Sequence, residues 1–151
     1  MTQRLISAVL INMMLLSHGC AQLNDAPWAE VNGKRFSIQI ADNDETRARG
    51  LMFVREMPED SGMLFIHDQQ EPVAYWMKNT YIALDILYFD EQFKLVSAQL
   101  NVQPCGTQTQ CPNYPSYEPT KYVLEVNAGI AEQKKKKKGD QLKLSESIVS
   151  K

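Results

Sequence analysis

Histidine is almost absent from this chain. There are 2 in 151 residues, His18 and His67, and only His67 lies beyond the first twenty. A Ser-His-Asp hydrolase would have to be built on that one imidazole, and the G-x-S-x-G turn that carries many such serines does not occur. A zinc site with several histidines is excluded on the same count. Cysteine is scarce too, at 3 residues (Cys20, Cys105, Cys111), and none forms the C-x-x-C of redox and zinc motifs. No apolar run reaches the roughly 20 residues a membrane-spanning helix needs. The formal net charge of -2 leaves no electrostatic footprint for nucleic acid, which is not expected as a partner. Met52, Met63 and Met77 with His67 raise copper(I), but dense M-x-x-M or H-x-M runs are missing and isolated methionines are usually core filler. No metal and no cofactor is expected.

What the chain does have begins at its start. Arg4 is followed by a short apolar run over residues 5–16, interrupted by Ser7 and Asn12, and then by Ser17-His18-Gly19-Cys20. This pattern predicts an export signal over residues 1–19, cleaved before Cys20. A cysteine after a small residue resembles the lipid-modified cysteine of bacterial lipoproteins, although Ser17 and His18 depart from the usual residues there. The alternatives are a plain periplasmic or secreted protein and an uncleaved helix. A multiply acylated Cys20 would hold the protein to a membrane, since each buried methylene adds about 0.8 kcal/mol and two chains anchor stably. Ala21 after it fits the periplasmic face of the outer membrane. With Cys20 lipidated, Cys105 and Cys111 remain as an even pair in an exported protein, which predicts a disulfide stabilising by about 2 kcal/mol.

Residues 20–29 read as a tether, 30–145 as a single β-rich domain and 146–151 as a tail. Asn32-Gly33 is a strong hairpin signal. Phe36, Ile38 and Ile40 alternate with polar residues, a strand with one wet face. Asp42-Asn43-Asp44-Glu45 supplies capping oxygens for a short helix ending near Gly50. Residues 63–66 form a short buried strand and 67–72 a polar loop; further strands cover 95–102, 121–127 and 141–145. Residues 104–119 hold four prolines and both remaining cysteines, which predicts irregular backbone stiffened as a flap. A second helix is expected over 128–138, its late lysines (134–138) a solvated end or an attraction for anionic surfaces. The fold class is mostly β: a small antiparallel sandwich or partly closed barrel with two short helices.

The longest apolar stretch of the mature chain is residues 75–90, one or two inner strands interrupted by Lys78, Asn79 and Asp85. Asp85 points into an apolar layer, where a carboxylate must meet a cation (Lys78, Arg49 or Arg55), bond to main-chain N–H groups, or take up a proton. A structural role is the simpler reading; a general acid or base is the other, and Glu125 poses the same choice. Trp76 with Lys78, Asn79 and Thr80 sets an aromatic plane beside an ammonium, an amide and a hydroxyl, a combination sugar sites use, against the plainer reading of a turn beside a core tryptophan. The candidate ligand surface is Trp76, Lys78 and Asn79, with Tyr114 from the flap; the candidate catalytic groups are Asp85, Glu125 and Lys78.

Four ordered motifs carry a family resemblance: Arg49-Gly50-Leu51-Met52; Gly62-Met63-Leu64-Phe65; Trp76-Met77-Lys78-Asn79-Thr80 with Leu84-Asp85; and Val123-Leu124-Glu125-Val126-Asn127-Ala128-Gly129 followed by Gly139-Asp140. Together they resemble the domain of unknown function 192. The resemblance spans residues 30 to 144, and Cys105 and Cys111 are similar to the cysteine-bearing loop of exported members. It departs at residues 134–138, where members show a mixed turn rather than five lysines. It implies a small β-rich sandwich and no reaction. The expected function is a non-catalytic, lipid-anchored envelope module that binds a glycan or a protein; the alternative is a hydrolase or lyase using Asp85 or Glu125 with Lys78.

Overall fold

The computed structural model describes residues 26–107, 110–133 and 138–149; the leader, Cys20 and the lysines at 134–137 lie outside the described residues. In chain order run β1 (Trp28–Val31), β2 (Lys34–Ala41), α1 (Asp44–Arg49), β3 (Ser61–Glu71), β4 (Ala74–Trp76), β5 (Leu84–Phe89), β6 (Leu95–Val102), β7 (Asn113–Pro115), β8 (Thr120–Asn127), α2 (Ile130–Gln133), β9 (Leu142–Leu144) and α3 (Glu146–Val149). Seven strands make one sheet in the order β6-β5-β8-β3-β2-β1-β9, and β4 pairs with β7 in a separate ribbon. Pairing is antiparallel except between β2 and β3. That parallel step needs a long crossover, which the segment bearing α1 supplies.

The sheet curls until its two edges touch. Leu95 donates its N–H to the Asp140 carbonyl (2.8 Å), Gly139 donates to Leu95 (2.7 Å), and Leu142 donates to Phe93 (2.8 Å). The result is the partly closed barrel that the strand pattern predicts. Strand alternation then sorts residues to two faces. Phe36, Ile38, Leu64, Leu87, Phe89, Leu124 and Val126 fill the inside. Met63, Phe65, Leu84, Ile86, Tyr88 and Val123 face outward, beneath a cover made of the segment after α1, the β4–β7 ribbon and the cysteine loop. β5 is buried along its whole length because it carries both layers.

The local signals behave as their chemistry requires. Asn32 and Gly33 both take positive φ (51° and 74°), closing the β1–β2 hairpin. Asn43 caps α1, accepting from the Thr46 N–H at 3.0 Å, and Gly50 ends it with φ 46°. Four expectations need correction. The polar loop at 67–72 is strand: β3 runs on to Glu71, with an irregularity between Ile66 and Glu71, because Glu71 pairs with Thr120. The proline-rich segment is not wholly irregular, since Asn113–Pro115 pairs with β4. The second helix begins at Ile130, after a turn at residues 128–129, and is described as far as Gln133; Lys138, the last residue expected in it, is in a turn and ion-paired to Glu118 at 2.9 Å. The tail contains a helical turn, α3, whose Ile148 is buried against the inner core.

Gly62 explains itself by close approach. A Cβ there would meet the Glu125 carbonyl oxygen at 2.6 Å, backbone against backbone in the paired strand. Gly62→Ala is expected to lower stability by about 2 kcal/mol, the usual range for overpacking. Urea unfolding would measure it, and an unchanged midpoint would mean that β3 can draw back from β8 freely.

Candidate functional site

Asp85 and Glu125 lie on adjacent strands but on opposite faces. The register pairs Asp85 with Val126 and Ile86 with Glu125, so Asp85 points into the barrel and Glu125 out under the cover. Asp85 is 0% exposed, and its two oxygens accept from the Asn101 N–H and the Ala131 N–H, each at 2.8 Å. Main-chain donors therefore meet this charge, not Lys78, Arg49 or Arg55. The pairing of Asp85 with Lys78 in a catalytic role is overturned, because the sheet lies between them. Asp85 ties β5 to β6 and to the first turn of α2.

Glu125 has a different environment. It is 4% exposed and forms the floor of a narrow recess whose walls are Arg49, Met52, Tyr75, Trp76 and Lys78. Among the described residues, no hydrogen bond or ion pair reaches its carboxyl group. Burial pushes its pKa up to about 8, so the neutral acid predominates at neutral pH. The same burial, reinforced by Glu125, raises the neighbouring phenols of Tyr75 and Tyr88. Tyr75 shares a 3.0 Å hydrogen bond with Nε2 of His67, whose pKa is lowered by burial and then by Arg47. His67 thus sits on β3 in a packed aromatic layer rather than in a loop. The recess is small: about 30 Å³ is open to a water-sized sphere, room for one or two waters.

Around its mouth the backbone is unusual. Phe53 (φ 68°), Asn79 (φ 56°) and Gly106 (φ 56°) all lie in the left-handed region. The Phe53 N–H donates to the Asn79 carbonyl (2.8 Å), the Asn79 N–H to Gly106 (2.6 Å), and the Gly106 N–H to Thr80 (3.1 Å). The turn at 78–80 is thus clamped from both sides, one clamp being the cysteine loop. Cys105 and Cys111 have their sulfurs 2.01 Å apart, at bonding distance. Trp76 stands 49% exposed beside this turn, with Nζ of Lys78 5.1 Å from its ring centroid. The Asn79 side chain is half-buried and reaches Sδ of Met52 at 3.8 Å. Tyr114 pairs with Tyr75 and packs with it on the outer core, away from the Trp76 side of the ribbon; its carbonyl accepts from the Tyr88 hydroxyl at 2.6 Å. Met63 and Met77 are buried core, as methionine's softness allows. A wider apolar hollow of about 260 Å³ opens at the barrel mouth between Ile66, Phe93, Tyr122 and α3, with none of these groups near it.

A family model for the domain of unknown function 192, described as an uncharacterised ACR, matches residues 28–144. The chain belongs to that family. All four motifs by which it resembles the domain of unknown function 192 reach the recess, through Arg49-Gly50-Leu51-Met52, Phe65, Trp76 with Lys78 and Thr80, and Glu125. The motif that holds Phe65 also supplies Gly62, which lets β3 close on the Glu125 backbone. Among the solved structures that share the fold are two bacterial proteins. A protein of unknown function from Novosphingobium aromaticivorans DSM 12444 is 29% identical with a TM-score of 0.70, over 77% of this chain and 83% of that one. A Sinorhizobium meliloti 1021 protein called a putative transcription regulator is 32% identical with a TM-score of 0.71, over 79% of this chain and 94% of that one. No curated protein matches the chain.

The two acids should respond differently to amide substitution. Asp85→Asn turns an NH2 group toward main-chain donors and is expected to lower stability by about 2–3 kcal/mol, read as a shifted urea midpoint. For Glu125 the folded pKa of about 8 lies above the ordinary 4.5, so the folded state keeps a proton that the unfolded chain releases. Its contribution is most favourable below 4.5 and is lost as pH rises toward 8, by at most about 1.4 kcal/mol per pH unit. Glu125→Gln should flatten that slope and raise stability at the alkaline end; parallel slopes for the two proteins would show the acid to be ionised in the fold.

Proposed function

We propose that this protein is an exported module held by lipid on Cys20 to the periplasmic face of the outer membrane, where it binds an envelope ligand without transforming it. The contact surface is Trp76, Lys78 and Asn79. The observation that carries this reading is the exposed indole with an ammonium over its ring, on a turn clamped by Phe53 and the cysteine loop. A ligand ring meets such a surface without the surface having to reorganise, which spares the ordering cost of binding. Two further features favour binding over catalysis. Asp85 is engaged by main-chain amides, and the recess is small, with about 30 Å³ open to a water-sized sphere.

One observation favours the second reading, an acid–base hydrolase or lyase. Glu125 holds a proton near neutral pH in the recess that Lys78 also lines, and a displaced pKa in a cleft is what general acid catalysis uses. Titrating the full chain with peptidoglycan and polysaccharide fragments distinguishes the two. Binding predicts a change in tryptophan fluorescence that Trp76→Ala weakens by about tenfold or more, since loss of one aromatic contact is worth roughly 1–3 kcal/mol. No change across the panel would overturn the binding reading. Product formation that Glu125→Gln abolishes, with affinity intact, would replace it with the enzyme. Release of the protein from membranes by Cys20→Ser tests the anchor.

A further inference from the structure

Three exposed cations border the recess and its turn without forming an ion pair. Arg49 and Lys78 line the recess, and the Arg55 guanidinium lies 4.9 Å from the Tyr81 ring centroid. Among the described residues none of the three takes part in an ion pair, whereas Arg35, Arg47, Lys138 and Lys143 all do. Glu56, next to Arg55, lines a separate groove with Ser37 and Pro58.

The cations are interleaved with aromatic planes. Trp76 lies under Lys78; Phe53 packs against Tyr81 with centroids 6.5 Å apart, and Tyr81 carries Arg55. Phe53 is 59% exposed although its ring is large and its φ is positive. A bulky residue in that region is strained, and such strain persists where the surroundings require it, commonly at ligand surfaces. The run from Trp76 through Lys78, Asn79 and Phe53 to Tyr81 and Arg55 is connected by hydrogen bonds and ring contacts.

We infer that this surface takes an acidic polysaccharide, a sugar chain bearing carboxylates, with Arg49, Lys78 and Arg55 meeting the charges, Trp76 and Phe53 meeting ring faces, and Glu125 receiving one hydroxyl at the recess floor. The inference rests on the binding reading and names its ligand class. Charge complementarity selects an anion, since three unpaired cations line one surface. The aromatic planes between them select a ligand whose rings alternate with its charges. A fully buried carboxyl under an anionic ligand would repel it if ionised. Its burial keeps Glu125 protonated at neutral pH, so it donates a hydrogen bond instead.

The test is calorimetric titration of the full chain, in detergent, with four probes: oligogalacturonate, its methyl ester, poly-glutamate and oligothymidylate. Oligogalacturonate should bind, and esterification, which removes the charges and keeps the rings, should weaken binding about tenfold or more. Lys78→Ala, Arg49→Ala and Arg55→Ala should each weaken it about three- to tenfold and reduce its salt dependence, with melting temperatures changed by no more than a few degrees because these side chains are exposed and form no ion pair. Equal affinity for the ester would overturn the inference while leaving the binding reading in place. Poly-glutamate or oligothymidylate binding as tightly as the uronate would overturn it in favour of an acidic peptide or a nucleic acid. Absence of binding to every sugar probe and to neutral peptidoglycan fragments would overturn both.

Discussion

A carboxylate inside a barrel must be met by donors fixed in place, and Asp85 is met by two main-chain amides from separate segments. Leaving it bare would cost several kcal/mol, more than most single packing contacts supply. The arrangement therefore demands that β5, the end of β6 and the first turn of α2 hold their register together. Asn101 takes a positive φ of 52° where it presents its N–H. Beyond α2 the chain returns as the segment that bonds to Leu95 and brings the sheet edges together. One buried carboxyl thus ties α2 to the end of β6 that lies far from the Leu95 closure.

The same sheet holds a second buried acid under the opposite rule. Glu125 is one register step from Asp85 and faces outward, where packing has removed water without supplying donors. Desolvation alone then decides its state, and the neutral acid prevails. Two carboxyl groups on neighbouring strands are thereby separated into one held by main-chain donors and one without them, by nothing more than strand alternation. That parity is also why the two cannot work as a pair. Any chemistry on the outer face belongs to Glu125 with Lys78, and Asp85 has no part in it.

Much of this was legible in the residues, and the failures share a cause. The Asn32-Gly33 hairpin, the wet-faced β2 strand, the α1 cap and the central position of β5 follow from contacts within a few residues. So did the inward direction of Asp85, because both faces of its strand are apolar. The extension of β3 through His67 to Glu71 was hidden, since those polar residues earn strand geometry only from distant pairing with Thr120. β7 was hidden by its prolines. It is the edge of a two-stranded ribbon, where Pro115 can sit at the strand end without breaking a ladder. Phe53 and Tyr81 gave no signal at all: their place beside Asn79 depends on a left-handed backbone that phenylalanine does not advertise. The relative faces of Asp85 and Glu125 needed the register of β5 on β8, which no local pattern carries.

The barrel interior also constrains where a ligand can go. Side chains from all seven strands of the large sheet fill it, so it is a core rather than a cup. The proposed Trp76 surface lies instead on the cover of the outer face, which consists of loops and a short ribbon. Loops alone would present a site loosely. Here the turn at 78–80 is hydrogen-bonded to Phe53 on one side and to Gly106 on the other, and Gly106 follows a cysteine whose partner closes the loop. The cross-link does more than stiffen the proline-rich flap: through Gly106 it fixes the backbone on which Lys78 stands beside Trp76. A chain with one wet face of loops over a filled barrel can hold a rigid ligand surface only if those loops are tied to each other, and the ties converge on Asn79.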